Sequence, residues 1–184
     1  MNAPVSRRKL LRTLSLGSAA LMLSPQQTLA GCAPAVNRQK RGLGVALVGL
    51  GYYSTDLLAP ALQQTQHCHL AGIVTGSPDK AARWQKQYHI PDGNVYDYKN
   101  FDSIASNPAI DVVYVVLPTS MHREFVVRAA AAGKHVWCEK PMAVSEKECR
   151  EMIDACARAK KTLANGYRLQ HEPTTQAWRA IVQN

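Results

Sequence analysis

Apolar and polar positions follow two alternating patterns from residue 43 onward. Short continuous apolar runs, which are typical of parallel strands buried on both faces, alternate with segments whose apolar residues recur at helical spacing. We predict strands at Leu43–Val48, His69–Thr75, Asp111–Leu117, Lys134–Cys138 and Thr162–Gly166, with a weaker strand at Asn94–Tyr96. Repeated strand–helix units of this kind predict an α/β fold with a doubly wound parallel sheet.

Two of the helices have recognisable starts. Ser77-Pro78 combines an N-cap serine with proline at the first helical position, and Ser145-Glu146-Lys147-Glu148 is a capping box. The capping box opens a helix with a predicted core-facing apolar stripe, which comprises Cys149, Met152, Ile153, Cys156 and Ala157.

Residues 1–32 have the pattern of an export signal. A basic segment precedes an apolar run from Leu14 to Leu23, which is shorter than the roughly 20 residues needed to span a bilayer. The basic segment Ser6-Arg7-Arg8-Lys9-Leu10-Leu11-Arg12 resembles a bacterial twin-arginine signal, with an ordinary secretory signal as the alternative. We therefore expect a periplasmic protein.

The processing of this signal has two interpretations. Small residues at Thr28 and Ala30 fit ordinary cleavage after Ala30. Leu29-Ala30-Gly31-Cys32 also resembles a lipobox, which would place a lipid anchor on Cys32. In both cases residues 33–42 are predicted to form a polar tether to the domain that follows.

The charge of the chain is uneven. The formal net charge is +9, yet the first 41 residues contain seven basic side chains and no acid, whereas the rest contains fifteen basic and thirteen acidic side chains. A nucleic-acid-binding domain carries its basic excess on its folded surface, so we expect no nucleic-acid partner. The five cysteines form no C-x-x-C pair and no zinc spacing, so no metal site is expected.

A glycine-rich turn follows the first predicted strand. Gly49-Leu50-Gly51-Tyr52-Tyr53-Ser54 has the dinucleotide-binding pattern G-x-G-x-x-[G/A] with serine in the third position. Gly49 permits the tight turn, Gly51 lets the backbone approach a pyrophosphate, and Ser54 is small enough for close strand–helix packing. With Tyr52 and Tyr53 these residues predict a Rossmann-type NAD(P)-binding domain over residues 43–184; the alternative is a glycine-rich turn in another α/β protein.

The end of the second strand bears on the choice between NAD and NADP. NAD sites usually have an acidic residue there, which binds the ribose 2′-hydroxyl. Here the segment Val74-Thr75-Gly76-Ser77 contains no acid, and Thr75, Ser77 and Lys80 are predicted to receive a 2′-phosphate. We therefore expect NADP rather than NAD, with a solvated helix charge as the alternative for Lys80.

Two further strand ends face the expected cofactor crevice, because ligands of such sheets lie beyond the carboxyl ends of the strands. The first is Leu117-Pro118-Thr119-Ser120-Met121-His122, where His122 is either a structural hydrogen-bonding residue or a catalytic base. The second is Glu139-Lys140-Pro141, where Lys140 can exchange a proton with a substrate hydroxyl during hydride transfer. A strand-end salt bridge between Glu139 and Lys140 is the alternative.

These motifs together resemble the Gfo/Idh/MocA oxidoreductase family and, within it, the glucose–fructose oxidoreductase type. The resemblance is carried by Val48–Gly51, Val95–Phe101, Leu117–His122, Gly133–Ala143 and Gly166–Arg168. It implies that Lys140 is the active-site lysine of a Glu-Lys-Pro motif, that Thr75 and Lys80 select NADP, and that the address is periplasmic. The further contacts that it implies with cofactor or substrate are Tyr98, Leu117, Pro118, Thr119, His122, Glu139 and Arg168.

The sequence departs from the family at three points. Thr119 stands where asparagine is common, the tether is short, and the family's second, substrate-binding domain is absent from these 184 residues. The expected function is hydride transfer between tightly held NADP and a sugar. The alternatives are a truncated nucleotide-binding module without catalysis and, less favoured, a Rossmann enzyme of another nucleotide such as a methyltransferase. Homo-oligomers are expected only where the second domain is present.

Overall fold

The computed structural model describes residues 42–183. The predicted export signal at residues 1–32 and the tether up to residue 41 lie outside the described residues, so the twin-arginine and lipobox interpretations stay predictions. Within the described part of the chain, no helix combines the length and the apolar character that crossing a membrane requires.

The described residues contain a central sheet of six strands. These are β1 (Leu43–Val48), β2 (Cys68–Val74), β3 (Val95–Tyr96), β4 (Val112–Val115), β5 (His135–Cys138) and β6 (Leu163–Asn165). Their order is β3-β2-β1-β4-β5-β6, and every neighbouring pair is parallel. The predicted doubly wound parallel sheet is confirmed. The chain order reverses between β1 and β4, which places the ligand crevice over the carboxyl end of β1.

Helices cover both faces of this sheet. A π-helical segment (Ser54–Leu58) leads into α1 (Ala59–Gln64), and α2 (Pro78–Tyr88), α3 (Thr119–Ala131), α4 (Glu146–Arg158) and α5 (Pro173–Gln183) follow, with 3₁₀ segments at Asp92–Asn94, Phe101–Ser106 and Arg168–Gln170. Both predicted helix starts are confirmed. The Ser77 side chain accepts a hydrogen bond from the backbone N–H of Lys80, and that of Ser145 accepts one from Glu148.

Two apolar clusters, one on each face of the sheet, form the core. Successive residues of β1 point alternately into the two clusters. Val45 and Leu47 pack in the cluster that contains Trp84 of α2. Ala46 and Val48 pack in the other cluster, together with α3 and α4. All four β1 residues are fully buried. A strand between two helical layers has no face in water, which is why the sequence shows continuous apolar runs.

The predicted apolar stripe of α4 is wrong at two positions. Met152 and Cys156 are buried as expected, but Ile153 is 52% exposed and Ala155 is buried in its place. Ala157 is exposed as well. Ala155 packs in the apolar cluster that contains residues of α3, so the helix presents Ala155 to the core and Ile153 faces outward.

Candidate functional site

The two glycines of the loop after β1 have different surroundings. The φ angle of Gly49 is +93°, and a Cβ built on it would lie 2.5 Å from the carbonyl oxygen of Val116. A Cβ on Gly51 would have no atom within 4 Å. Gly49 therefore makes a turn that other residues cannot make without strain, whereas Gly51 leaves room above the loop for a ligand.

Ser54 does more than fill a small space at the third position of the pattern. Its fully buried side chain donates a 2.6 Å hydrogen bond from Oγ to the carbonyl oxygen of Gly49. The carbonyl oxygen of Gly51 also has donors, since Thr55 reaches it through its backbone N–H at 3.0 Å and its Oγ1 at 2.9 Å. The loop and the first helical turn are thus held together by short-range hydrogen bonds.

Lys80 provides the donor for the remaining carbonyl of the loop. Its Nζ lies 3.2 Å from the carbonyl oxygen of Leu50, so each carbonyl oxygen of Gly49, Leu50 and Gly51 has a donor within the protein. The loop consequently offers mainly N–H groups to a ligand, at the start of a helix. This polarity suits the anionic diphosphate of a dinucleotide.

The hydroxyl groups of Thr75 and Ser77 take part in the turn after β2. Thr75 is buried, and its Oγ1 accepts the backbone N–H of Ser77 at 3.2 Å. The Ser77 Oγ caps α2 by accepting the backbone N–H of Lys80. Of the three residues predicted to receive a 2′-phosphate, Lys80 therefore supplies the charge, because its ammonium group has three N–H donors and Leu50 takes one.

Tyr98 lies at this same end of the sheet. A Cβ on Gly76, which follows β2, would be 3.1 Å from the Tyr98 ring. The ring packs edge-on against Phe125 with centroids 5.5 Å apart. Because the ribose of the adenosine half lies beyond the carboxyl end of β2 in such folds, Tyr98 is positioned for that half of a dinucleotide.

Leu117, Pro118 and Thr119 form the turn from β4 into α3. The Leu117 side chain lies against the glycine loop, with Cδ2 2.9 Å from the place of a Cβ on Gly49. Pro118 is the N-cap residue of α3, and the half-buried Thr119 is its first residue. The turn therefore lies beside the glycine loop, at the carboxyl end of β4.

His122 is buried behind this turn and connects two strand ends. It is 1% exposed. Its Nε2 lies 2.8 Å from the carbonyl oxygen of Leu117, and its Nδ1 lies 3.0 Å from that of Pro141. Both ring nitrogens therefore face backbone carbonyl groups, an arrangement that favours the structural hydrogen-bonding alternative for His122; its contact with the cofactor stays a prediction.

Glu139 and Lys140 have contrasting environments at the end of β5. Glu139 is 8% exposed, whereas Lys140 is exposed. The Oε1 atom of Glu139 accepts a 2.5 Å hydrogen bond from the Tyr114 hydroxyl, and its Oε2 atom accepts the backbone N–H of Lys140 at 3.1 Å. No ion pair among residues 42–183 includes either residue, so the salt-bridge alternative is wrong.

An open groove of about 740 Å³ lies over the end of β5. Its walls come from the residues that follow β1, β5 and β6, and they include Tyr52, Tyr53, Glu139, Lys140, Gly166 and Arg168. Five of these six residues are among the predicted site residues. The fold therefore brings the far end of the glycine loop and the Glu-Lys-Pro turn to one continuous crevice.

Glu139 shapes the electrostatics of this groove. Burial and the hydrogen bond to Glu139 raise the pKa of Tyr114 far above its ordinary value, so the phenol remains a donor. Burial and then the charge of Glu139 raise the pKa of Tyr53, while Arg168 acts in the opposite direction. Among residues 42–183, no group of three or more His, Cys, Asp or Glu side chains is arranged to hold a metal ion.

Sequence analysis missed Tyr114 and Gly166 as members of the site. The signal for Tyr114 is the single hydroxyl in the otherwise apolar strand Val112–Val115. The signal for Gly166 is a glycine directly after β6, where a Cβ would lie 2.7 Å from Glu139 Oε1. Both residues contact Glu139, and that contact becomes visible only in the folded chain.

The fold and the crevice define a nucleotide-binding domain of the Rossmann class. The loop at the switch point offers backbone N–H groups, and Lys140 lines the adjoining groove. The chain belongs to the Gfo/Idh/MocA oxidoreductase family, since residues 43–167 match the family described as "Oxidoreductase family, NAD-binding Rossmann fold". The family resemblance drawn from the motifs is confirmed.

Known proteins similar to this chain include two oxidoreductases that are named for an aldose or for D-xylose. Aldose-aldose oxidoreductase from Caulobacter crescentus, solved with glycerol, is 47% identical with a TM-score of 0.71, over 72% of this chain and 39% of its own. D-xylose 1-dehydrogenase (NADP+) from Haloarcula marismortui is 28% identical over 137 residues, which are 74% of this chain and 38% of that protein.

The fold recurs at lower identity in KijD10, a 3-ketoreductase from Actinomadura kijaniata solved with NADP. That structure is 22% identical with a TM-score of 0.69, over 78% of this chain and 44% of its own. This likeness shows the fold alone. The chain spans about two fifths of the length of these three relatives.

Proposed function

We propose that the full-length protein is an NADP-dependent sugar oxidoreductase of the glucose–fructose oxidoreductase type. The observation that carries this proposal is the single groove that joins the glycine loop, through Tyr52 and Tyr53, to the exposed side chain of Lys140. A nucleotide on the loop and a sugar beside Lys140 would share one continuous space. The 47% identity to an aldose-aldose oxidoreductase supports a sugar as substrate.

The preference for NADP over NAD rests on Lys80. Its ammonium group lies beside the loop at Leu50, near the end of β2, where ribose is bound in this class. No acidic residue stands in Val74-Thr75-Gly76-Ser77 to repel a phosphate or to favour a free 2′-hydroxyl. An ammonium group with two remaining N–H donors fits a 2′-phosphate.

The chemistry assigned to the chain's own residues is proton exchange. Oxidation of a sugar removes a hydride from the carbinol carbon and a proton from its hydroxyl, leaving a carbonyl group; bound NADP supplies the hydride acceptor. The neutral amine of Lys140 accepts the hydroxyl proton in oxidation, and its ammonium form returns a proton to the carbonyl oxygen in reduction. Arg168 and Tyr53 line the same groove and can hydrogen-bond other sugar hydroxyls.

The proposal also covers the cellular location of the protein. The twin-arginine pattern supports export of the folded protein to the periplasm with NADP already bound. The cofactor would then be reoxidised in place by a second substrate such as a ketose, which implies ping-pong kinetics. The mature protein would begin after Ala30 or carry a lipid at Cys32, and homo-oligomers are expected only where the family's second domain is present.

A second candidate is a nucleotide-binding module that does not catalyse. The open groove favours it, because Tyr52 is 73% exposed and Tyr167 is 51% exposed beside Lys140. A catalytic groove is normally closed to water around its substrate. Both candidates bind a nucleotide, but only the oxidoreductase turns over a substrate.

The test uses full-length protein purified from its own envelope fraction. We expect retained NADP in a native mass spectrum and oxidation of glucose with fructose as acceptor, without added cofactor. Lys140→Met should lower turnover about 10³-fold, whereas Lys147→Met, a lysine on α4, should not. Turnover that requires added NADP would contradict the tightly held cofactor. Retained NADP without turnover would favour the non-catalytic module.

A further inference from the structure

We propose that Tyr114 is a positioning residue that holds the carboxylate of Glu139 away from the amine of Lys140, so that this amine stays available in the groove. The inference deepens the proposed function and rests on it, because the role of the amine is proton exchange there. It assigns a task to a strand residue that does not line the groove itself.

The Tyr114 hydroxyl is held in place by its ring. Tyr114 lies within β4 opposite Trp137 of β5, and the two rings pack edge-on with centroids 5.6 Å apart. Cross-strand aromatic pairs of this kind restrict both side chains. The hydroxyl then reaches Glu139 Oε1 at 2.5 Å, across 25 residues of sequence.

The carboxylate of Glu139 is enclosed on three sides. The Tyr114 hydroxyl donates a hydrogen bond to Oε1, and the backbone N–H of Lys140 donates one to Oε2. Gly166 closes the third side with bare backbone, because a Cβ there would be 2.7 Å from Oε1 and 3.1 Å from the Tyr114 hydroxyl oxygen. A Cβ at residue 166 would therefore require the Glu139 carboxylate to move from its position against the Tyr114 hydroxyl.

A buried carboxylate that loses a donor takes another where one is within reach, since an unsatisfied buried charge is strongly unfavourable. The ammonium group of Lys140 is on the adjacent residue and exposed. The charge of Glu139 already acts on Tyr53 across the groove. Without the Tyr114 hydroxyl, we expect the carboxylate to turn towards Lys140 and to pair with it.

Such an ion pair would impair the chemistry of Lys140. A carboxylate next to an amine favours the protonated form, which cannot accept a proton from a sugar hydroxyl. The pair would also occupy the N–H donors that a substrate oxygen needs. Tyr114 and Gly166 therefore act on the amine through Glu139, and Tyr114 does so from outside the groove lining.

The availability of the amine can be measured by acylation of the full chain at pH 8, with peptide mapping by mass spectrometry. The quantity is the labelling rate of Lys140 relative to that of Lys147, which serves as an internal reference. Tyr114→Phe should lower this ratio about fivefold, the size expected for an exposed ion pair. Gly166→Ala should lower it too, because the added Cβ displaces the same carboxylate without removing a charge.

Two further variants control the measurement. Tyr96→Phe removes a hydroxyl that donates to Gly93 at the other border of the sheet, and the ratio should not change. Tyr114→Phe combined with Glu139→Gln should restore the ratio, because an amide cannot form the ion pair. Circular dichroism and thermal unfolding show whether each variant is folded.

The inference is overturned by an unchanged ratio in folded Tyr114→Phe and folded Gly166→Ala. It is also overturned by a fall that the Glu139→Gln combination does not reverse, since the effect then does not pass through the carboxylate. The proposed function is tested separately: NADP added to wild-type protein that has been freed of bound nucleotide should slow acylation of Lys140. If NADP does not slow acylation but the Tyr114 and Gly166 variants behave as expected, the nucleotide site is contradicted and the role of Tyr114 is not.

Discussion

The two ends of the crevice are built in different ways. At the β1 end, two of the three donors to the loop carbonyl groups are near neighbours in sequence, since Ser54 donates to Gly49 and Thr55 donates to Gly51; the third, from Lys80 to Leu50, spans 30 residues. At the β5 end, Glu139 is held by Tyr114, 25 residues away, and by the absence of a side chain at Gly166. Binding an anion requires a fixed backbone, which a short segment supplies. A buried charge beside a lysine requires support from several strands.

The largest expected effect separates the two glycines of the loop. Gly49→Ala places a Cβ 2.5 Å from the carbonyl oxygen of Val116 at a φ of +93°, so we expect a loss of about 3 kcal/mol in the free energy of unfolding. Gly51→Ala is the matched control and should change stability by less than about 1 kcal/mol, while weakening nucleotide binding. Urea denaturation of both variants tests this, and equal losses would contradict the assigned roles.

The next effect concerns the charge of Lys80. Lys80→Ala should weaken NADP binding about 30-fold, which corresponds to about 2 kcal/mol for a lost charged hydrogen bond. The affinity for NAD should change less than about twofold, because NAD lacks the 2′-phosphate. Titration calorimetry measures both constants. Lys86→Ala, in the last turn of the same helix, is the control. If Lys80→Ala weakens the binding of NAD and of NADP equally, Lys80 does not bind the 2′-phosphate.

A smaller effect tests the short-range hydrogen bonds of the loop. Ser54→Ala leaves the buried carbonyl oxygen of Gly49 without its donor at 2.6 Å, which should lower the free energy of unfolding by about 1.5 kcal/mol. Thr55→Ala removes an exposed hydroxyl and should cost less than about 0.5 kcal/mol. Thermal unfolding of the two variants makes the comparison, and a larger loss for Thr55 would contradict it.

The smallest effect lies at the β5 end and depends on pH. Burial and then the charge of Glu139 raise the pKa of the Cys138 thiol to about 12, from an ordinary value near 9. Above pH 9 the unfolded chain loses this proton while the folded chain keeps it, so stability falls as pH rises from 9 towards 12. At pH 10 the loss should be about 1 kcal/mol.

Cys138→Ser provides the control for this pH dependence, because a serine hydroxyl does not titrate in this range. Tyr53 and Tyr114 act in the same direction, so the informative quantity is the difference between wild type and variant in urea unfolding at pH 8 and pH 10. Parallel curves for the two proteins would show that the thiol ionises as readily in the folded state as in the unfolded state.

The sequence predicted the β1 end of the site better than the β5 end. A strand, a turn and a helix start are local, and the apolar run Leu43–Val48 and the glycine pattern after it reveal all three. The stripe on α4 failed at Ile153 because the rotation of a helix is set by its neighbour, here α3. The sequence left His122 open between a structural and a catalytic role, because one of its hydrogen-bonding partners, Pro141, is in another segment of the chain.

The surroundings of the Glu139 carboxylate show which contacts the sequence alone does not reveal. Tyr114 looks like an ordinary strand residue until β4 and β5 pair, and Gly166 looks like a strand terminus until its backbone is found against a carboxylate. Both residues lie in predicted strands, so their elements were predicted correctly. Their roles depend on which side chain the sheet order brings beside them, and neither periodicity nor spacing contains that information.

The loop after β1 also has a consequence for the solution in which the protein works. Its carbonyl oxygens are turned to donors within the protein, so the surface that remains attracts any small oxyanion of suitable size. Sulfate and inorganic phosphate will therefore compete with a nucleotide for this loop. At matched ionic strength, nucleotide affinity will be lower in a phosphate buffer than in a chloride-based one, and the buffer anion becomes a ligand in its own right.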